Sequence, residues 1–165
     1  MAKDQSFDVV SQVDMQEVDN AVQQTAKELQ QRYDLKGSGA SVTLDRAAAT
    51  LTLSAPSDFV LGQVKDVLDG KLVRRGIDLK ALDWGKIEAA SGGSARRTAK
   101  VVNGIDAEIA RRINKEVRDE KFKVKVQIEG DKVRVFSPSR DELQNVIVFI
   151  KERDYGIPLQ FVNYR

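Results

Sequence analysis

The sequence predicts an α+β fold in which one ferredoxin-like order of elements occurs twice. The first observation is the order helix, hairpin, helix, strand in residues 106–165, where apolar residues recur at helical spacing and then alternate. The second is that residues 14–80 repeat this order. The third is a strand-like segment before each copy. Each half is therefore expected to contain the β-α-β-β-α-β elements of a ferredoxin-like domain.

The first half begins with a strand and continues with two helices around a hairpin. Asp14 and Glu17 form a capping pattern, because an aspartate side chain accepts hydrogen bonds from the free N–H groups at a helix start. Alternation of apolar and polar residues predicts the hairpin. The predicted segments are a strand at Phe7–Val13, a helix from Asp14 to Tyr33, strands at Ser41–Asp45 and Thr50–Ala55, a helix after Pro56–Ser57, and a strand after Gly76.

The second half is predicted from the same signals. Ser139 and Glu142 form a capping box before its second helix. Gly130-Asp131 marks the hairpin turn, and the flexible stretch Ser91–Ser94 is expected to be the turn or linker between the halves. The predicted segments are a strand at Thr98–Asn103, a helix at Asp106–Glu120, strands at Lys123–Glu129 and Lys132–Phe136, a helix after Ser139, and a strand at Leu159–Tyr164.

Composition excludes several classes of chemistry. The chain has no cysteine and no histidine, so disulfides, thiolate or imidazole catalysis and the metal sites built on those ligands are absent. No nucleophile motif, dinucleotide fingerprint or suitably spaced carboxylate pair is found. We therefore expect no catalytic residue, metal or cofactor. No signal peptide and no stretch of roughly 20 apolar residues is present, which predicts a cytoplasmic protein without a membrane partner.

The distribution of basic residues suggests an anionic ligand. Residues 93–165 carry net positive charge although the whole chain has only +2. In the first half, Arg74 and Arg75 form the densest basic corner, and arginine suits bidentate contact with phosphate. The alternative for these two residues is a structural one, because cations near a helix C-terminus are favourable through the helix dipole alone.

Aromatic residues suggest places where a base could stack. Trp84 stands at a strand end, where it either stacks a base or packs at the junction between the halves. In the second half, Arg134 and Phe136 point away from the core valines, toward the sheet face that helices leave open. This face is expected to be basic, although the RNA-recognition signature of paired aromatics is missing. Asp8, in the first strand, is expected to fix a neighbouring loop.

Several segments together resemble a known family. The sequence is similar to the YajQ family of bacterial proteins, over nearly the whole chain and in the same order. The segments that carry the resemblance are Phe7–Asp14, Arg32–Gly37, Arg75–Asp78, Ser139–Gln144 and Pro158–Arg165. Gln12, Tyr33, Leu35 and Tyr164 depart mildly from the family pattern.

The resemblance implies two tandem ferredoxin-like domains whose N-terminal strands are exchanged. Residues 14–104, including strand 98–103, would form the first domain. Residues 1–13 and 105–165 would form the second, with strand 7–13 swapped in. The resemblance also implies binding of a purine nucleotide, of a cyclic dinucleotide such as cyclic di-GMP, or of nucleic acid. The resemblance implies no catalytic residue in this sequence.

We therefore predict a non-enzymatic nucleotide-binding protein that acts as an effector or adaptor. One alternative is an RNA-binding module that uses the open basic sheet face of the second domain. The other is a protein-interaction adaptor that binds a regulatory protein and uses no nucleotide. The candidate phosphate-binding residues are Arg74, Arg75, Arg134, Arg140 and Arg165, and the candidate stacking residues are Trp84, Phe136 and Phe161.

Overall fold

The computed structural model describes residues 3–165 and contains two antiparallel sheets and four helices, which confirms the predicted α+β class. The chain divides into two compact units. The first unit comprises residues 13–102, and the second comprises residues 103–165 together with the described residues before 13. In chain order the elements are β1 (Gln5–Val10), α1 (Met15–Gln31), β2 (Ser41–Asp45), β3 (Thr50–Ala55), α2 (Asp58–Arg74), β4 (Leu82–Trp84), β5 (Glu88–Ala89), β6 (Ala95–Val101), α3 (Ala107–Asp119), β7 (Lys125–Glu129), β8 (Lys132–Ser137), α4 (Arg140–Lys151) and β9 (Gln160–Val162).

In the first unit, α1 and α2 pack on one face of a sheet with the order β2-β3-β6-β4, and β5 also pairs with β6. Strand alternation explains the layering, because Leu51 and Leu53 are fully buried while the residues between them face the other side. The helices contribute Leu61, Leu68 and Leu72 to the same core. This core belongs entirely to residues 13–102.

The second unit has the sheet order β7-β8-β1-β9, so β1 lies between two strands that are distant from it in sequence. Phe7 and Val9 of β1 are fully buried and pack with Ile113 of α3, Val133 of β8 and Val146 of α4. The opposite side chains of β1 face the side of the sheet that these core residues leave open. That side carries Asp8, which is paired in register with Arg134 of β8 and Val162 of β9.

Several predicted strands have different ends in the structure. β7 begins at Lys125 and not at Lys123, and β9 spans Gln160–Val162 and not Leu159–Tyr164. β1 spans Gln5–Val10, whereas the prediction was Phe7–Val13, because Gln12 turns its N–H toward the Gln160 side chain, 2.8 Å away. β6 spans Ala95–Val101, whereas the prediction was Thr98–Asn103. The start of β6 consists of Ala-Arg-Arg and gives no apolar signal, yet it pairs with the end of β3.

The predicted linker between the halves is a turn inside the first unit. Ser91–Gly93 forms a short 3-10 turn that connects β5 with β6. The Ala90 N–H donates to the Ser94 carbonyl at 2.8 Å, and Gly92 and Gly93 have φ values of 72° and 78°, which glycine adopts readily. The chain instead passes between the units at residues 12–13 and 102–103.

The helix starts follow the predicted caps with one difference. The Asp14 side chain accepts hydrogen bonds from backbone N–H groups in the first turn of α1, and the Ser139 side chain does the same in α4. The Glu142 side chain does not complete a reciprocal box with Ser139, because its Oε2 accepts the Lys123 N–H at 2.7 Å. Glu142 thus ties the start of α4 to the segment before β7. Within the part of the chain that the structure describes, no helix is long and apolar enough to cross a membrane.

Candidate functional site

The structure brings some of the predicted binding residues together and keeps others apart. Within the first unit, Arg74 and Arg75 lie at the end of α2, and Trp84 lies at the end of β4. Within the second unit, Arg134 and Phe136 lie on β8, Phe161 lies on β9, and Arg140 and Arg165 line one cavity.

The basic corner of the first unit is a groove of about 540 Å³ between α1 and α2. Its lining includes Arg74, Arg75 and Lys71. Two of these cations already bridge the helices, since Lys71 Nζ is 2.9 Å from Glu28 Oε1 and Arg75 Nη1 is 3.4 Å from Glu17 Oε2. Among the residues that the structure describes, no aromatic side chain lines the groove. The groove therefore offers charge but no stacking surface.

Trp84 is held between two cations at the edge of the first unit. Its ring centroid is 5.4 Å from Lys65 Nζ and 5.3 Å from the Arg97 guanidinium carbon. The ring is half-buried and packs against the hydrophobic core of this unit. Both contacts are favourable cation–π interactions. These contacts indicate that the Trp84 side chain packs within the first unit.

A buried carboxylate occupies the open sheet face of the second unit. The Asp8 side chain is 1% exposed and accepts two hydrogen bonds from Arg134, at 2.7 Å from Nε and 3.3 Å from Nη2. Lys132 Nζ lies 3.6 Å away, and Asn163 Nδ2 donates to Asp8 Oδ2 at 2.8 Å. The hydrogen bonds from Arg134 are the main reason that the pKa of Asp8 falls to about 2, although burial opposes this shift.

This network changes the expected character of the open face. Arg134 is also 3.2 Å from Glu129 Oε2, so two carboxylates neutralise it. The sequence predicts a basic face from Lys125, Lys132 and Arg134, but Asp8 pairs with the last two. The face is therefore less basic than expected, although Lys125 remains exposed on it. Asp8 does hold a neighbouring segment, the one that carries Asn163.

The two aromatic candidates of the second unit differ in position. Phe136 is half-buried on the same face of β8 as Arg134. Phe161 is paired in register with the buried Val9 and packs with the core, its ring centroid 6.0 Å from that of Phe7. Phe161 is therefore on the helix-covered side of the sheet and serves the core.

Arg140 and Arg165 converge on a cavity of about 210 Å³ in the second unit. The floor is apolar, because the buried Leu143 and Ile147 of α4 line it. Tyr164 also lines the cavity and is 61% exposed. Polar side chains complete the lining, namely Gln5, Ser6 and Gln144. In the described part of the chain, neither arginine of this cavity forms an ion pair with a carboxylate.

Local structure determines where these side chains lie. The Ser139 cap starts α4, so Arg140 is the first residue of the helix. Arg165 pairs with Ser6 of β1 through both backbone groups, at 3.0 and 3.2 Å. The ring centroid of Tyr164 is 6.3 Å from that of Phe7, so one side of the tyrosine rests on the core. Separate elements thus bring a cationic, aromatic and apolar lining together.

No cluster suited to a metal is formed among residues 3–165, where no group of three or more acidic side chains is arranged to hold an ion. The cavity between Arg140 and Arg165 is instead lined by hydrogen-bond donors and an aromatic ring. Such a lining can bind an anionic group and a planar ring at the same time.

Comparison with known proteins identifies the family. The family model described as "Nucleotide-binding protein YajQ-like" matches residues 5–165. The chain belongs to the YajQ family. A protein of Alkaliphilus oremlandii, named nucleotide-binding protein, is 49% identical over 165 residues and is covered completely, as is this chain. A protein of Chloroherpeton thalassium with the same name is 48% identical over 160 residues, which is 97% of each chain. A third relative, from Bacillus cereus strain Q1, is 47% identical over all 165 residues.

Two segments that carry the YajQ resemblance, Ser139–Gln144 and Pro158–Arg165, supply most of the cavity lining. Sequence reasoning selected Arg140 and Arg165 from them but missed Tyr164 and Gln144. An aromatic residue at the end of the predicted strand Leu159–Tyr164, directly before Arg165, was the available signal. The names of the three relatives described above contain no enzymatic activity.

Proposed function

We propose that this YajQ-family protein binds a purine nucleotide, without transforming it, in the cavity lined by Arg140, Arg165 and Tyr164. The observation that carries the proposal is the convergence of two unpaired arginines with an exposed aromatic ring over an apolar floor. The relatives named nucleotide-binding proteins support the ligand class. The role that follows is that of an effector or adaptor in the cytoplasm.

The cavity chemistry matches the parts of a nucleotide. Arginine donates parallel hydrogen bonds to phosphate oxygens, and Arg140 lies at the N-terminus of α4, where the helix dipole also favours an anion. The exposed face of Tyr164 provides a stacking surface for a base. The Gln144 amide provides both a donor and an acceptor for a base edge.

The size of the cavity limits how much of the ligand it can enclose. Its volume of about 210 Å³ is below the roughly 300–1,000 Å³ typical of small-molecule pockets. Part of a mononucleotide would extend into solvent. A cyclic dinucleotide such as cyclic di-GMP would place one of its two bases in the cavity and leave the other outside. The cavity has no second stacking ring for that base.

Titration calorimetry with GMP, GTP, ATP, cyclic di-GMP and a short single-stranded RNA tests the proposal. We expect the double substitution Arg140→Ala and Arg165→Ala to weaken binding at least about tenfold, since a hydrogen bond to a charged group contributes roughly 1.5–3 kcal/mol. The matched control is Arg74→Ala with Arg75→Ala, which removes the same charge from the groove of the first unit. We expect this control to change affinity less than about twofold, as is usual for residues outside a binding site.

The other outcomes would decide between the alternatives. Weakened binding only in the Arg74 and Arg75 variant would move the site to the groove of the first unit. RNA binding that is unaffected by either variant and falls steeply with salt would favour an RNA-binding module. The absence of binding to all five ligands would favour a protein-interaction adaptor.

We also propose that residues 14–104 and residues 1–13 with 105–165 are ferredoxin-like domains that exchange their first strands. Support comes from β1, between β8 and β9, and from β6, between β3 and β4, which are equivalent positions in the two sheets. In a chain that lacks residues 1–12, the backbone amides of residues 103–165 should lose their protection from hydrogen exchange. The amides of residues 13–102 should keep theirs. Retained protection of β8 and β9 would contradict the exchange.

A further inference from the structure

We infer that Asp8, Arg134 and Asn163 form a clamp that positions Tyr164 and Arg165 at the cavity of the second unit. The inference rests on the proposed function for the identity of the ligand, but the geometry of the clamp is independent of it. The clamp residues do not line the cavity themselves. They are positioning residues, which act through the two cavity residues that follow Asn163.

The first part of the clamp is a carboxylate that has little freedom to move. Asp8 is 1% exposed and receives two hydrogen bonds from the Arg134 guanidinium. Arg134 is itself held on its other side by Glu129. Because Asp8 is on the central strand and Arg134 on its neighbour, the pair is a fixed point on the sheet.

The second part connects this fixed point to the cavity. Asn163 follows the end of β9 and its Nδ2 donates to Asp8 Oδ2 at 2.8 Å. Its φ angle is 57°, in the left-handed region that asparagine tolerates better than most residues. The chain therefore changes direction at Asn163 and leaves the regular strand. The hydrogen bond to Asp8 stabilises this conformation.

The third part secures the other side of Tyr164. The Arg165 N–H donates to the Ser6 carbonyl at 3.0 Å, and the Ser6 N–H donates to the Arg165 carbonyl at 3.2 Å. Tyr164 is thus held between a side-chain bond at Asn163 and a backbone pair at Arg165. Its ring still remains 61% exposed. An exposed side chain on a fixed backbone loses less entropy when it binds a ligand, so the clamp is expected to increase affinity by preorganisation.

A double-mutant cycle with GMP as the probe tests the clamp. We expect Asn163→Ala to weaken GMP binding about three- to tenfold. Tyr164→Ala should weaken it at least as much. In the Tyr164→Ala background, Asn163→Ala should weaken binding by a smaller factor than it does alone, because only its effect through Arg165 remains. The matched control is Asn145→Ala, which makes the same change on the exposed surface of α4 and should alter affinity less than about twofold.

A ligand-independent measurement separates the clamp from the proposed function. In Asn163→Ala, the amide of Arg165 should exchange with solvent at least about tenfold faster, while the amides of Val133 and Val135 keep their protection. If the unmodified protein binds no nucleotide, the proposed function fails and the exchange result alone decides the clamp. The clamp is overturned by unchanged exchange at Arg165. It is also overturned by unchanged GMP affinity in Asn163→Ala, or by fully additive losses in the double variant.

Discussion

The sheets of the two units have equivalent strand orders, but their open faces carry different side chains. At the centre of the first unit's face, Thr98 of β6 is exposed and is paired in register with Thr52 of β3. At the equivalent place in the second unit, Asp8 of β1 is 1% exposed and is paired with Arg134 of β8. The first face has hydroxyl groups at its centre, flanked on β6 by the exposed Arg96 and Lys100, whereas the second contains a network of charges around the buried Asp8.

This difference shows that two sheets with equivalent strand orders can carry different polar networks, which single residues determine. A buried carboxylate is unfavourable unless its oxygens are hydrogen-bonded, so Asp8 requires Arg134 and Asn163 around it. Thr98 requires no such partners. In the second unit, the Asp8 side chain on the open face thus fixes a following segment, and that segment contributes Tyr164 and Arg165 to a cavity.

The largest effect on this comparison is expected from Asp8→Asn. The substitution keeps the shape of the side chain but removes the charge that Arg134 contacts. We expect it to lower the free energy of unfolding by about 2–3 kcal/mol, because a largely buried guanidinium loses one of its two ionic partners. Urea denaturation followed by far-UV circular dichroism measures the change.

The matched control for Asp8→Asn is Thr98→Val on the other face, which keeps the side-chain shape and removes a hydroxyl group. Since Thr98 is exposed, its replacement should change the free energy of unfolding by less than about 0.5 kcal/mol. Equal effects of the two substitutions would mean that the charge network does not distinguish the faces.

A smaller effect is expected from acid. Folding lowers the pKa of Asp8 from its ordinary value of 3.8 to about 2, mainly through the hydrogen bonds from Arg134. The carboxylate therefore contributes its full stability above the pKa of the unfolded chain and loses it as the pH falls toward 2. The unfolding free energy should fall more steeply between pH 4 and 2 in the unmodified protein than in Asp8→Asn. Parallel curves would show that Asp8 does not titrate in this window, and Thr98→Val should keep the unmodified slope.

The parts of the fold that depend on neighbours in sequence could be predicted. β2 and β3 have the predicted bounds because alternation and a short turn suffice to define a hairpin. Asp106 caps α3 at the start of the predicted helix Asp106–Glu120, and such a cap involves residues only a few positions away. The composition of Ser91–Ser94 indicated a turn, but it could not indicate that the strands on both sides belong to one sheet.

The candidate site was less predictable because its contacts are long-range. Alternation placed Arg134 on the open face, but the carboxylate that neutralises it is 126 positions away. The convergence of Arg140 with Arg165 depends on the pairing of Arg165 with Ser6. No local pattern contains that pairing. Periodicity therefore predicts which face a side chain occupies and leaves its partners undetermined.

The central position of β1 also has a consequence for biosynthesis. Asp8 and Arg134 are 126 positions apart, so at 5–20 residues per second the ribosome needs about 6–25 s to make the second after the first. During this interval β1 has none of its sheet neighbours, although Phe7 and Val9 are apolar. β6 can pair sooner after its synthesis, because β2, β3 and β4 all precede it in the chain. The nascent protein should therefore complete the sheet of residues 13–102 first and expose β1 to chaperones until β8 and β9 have been made.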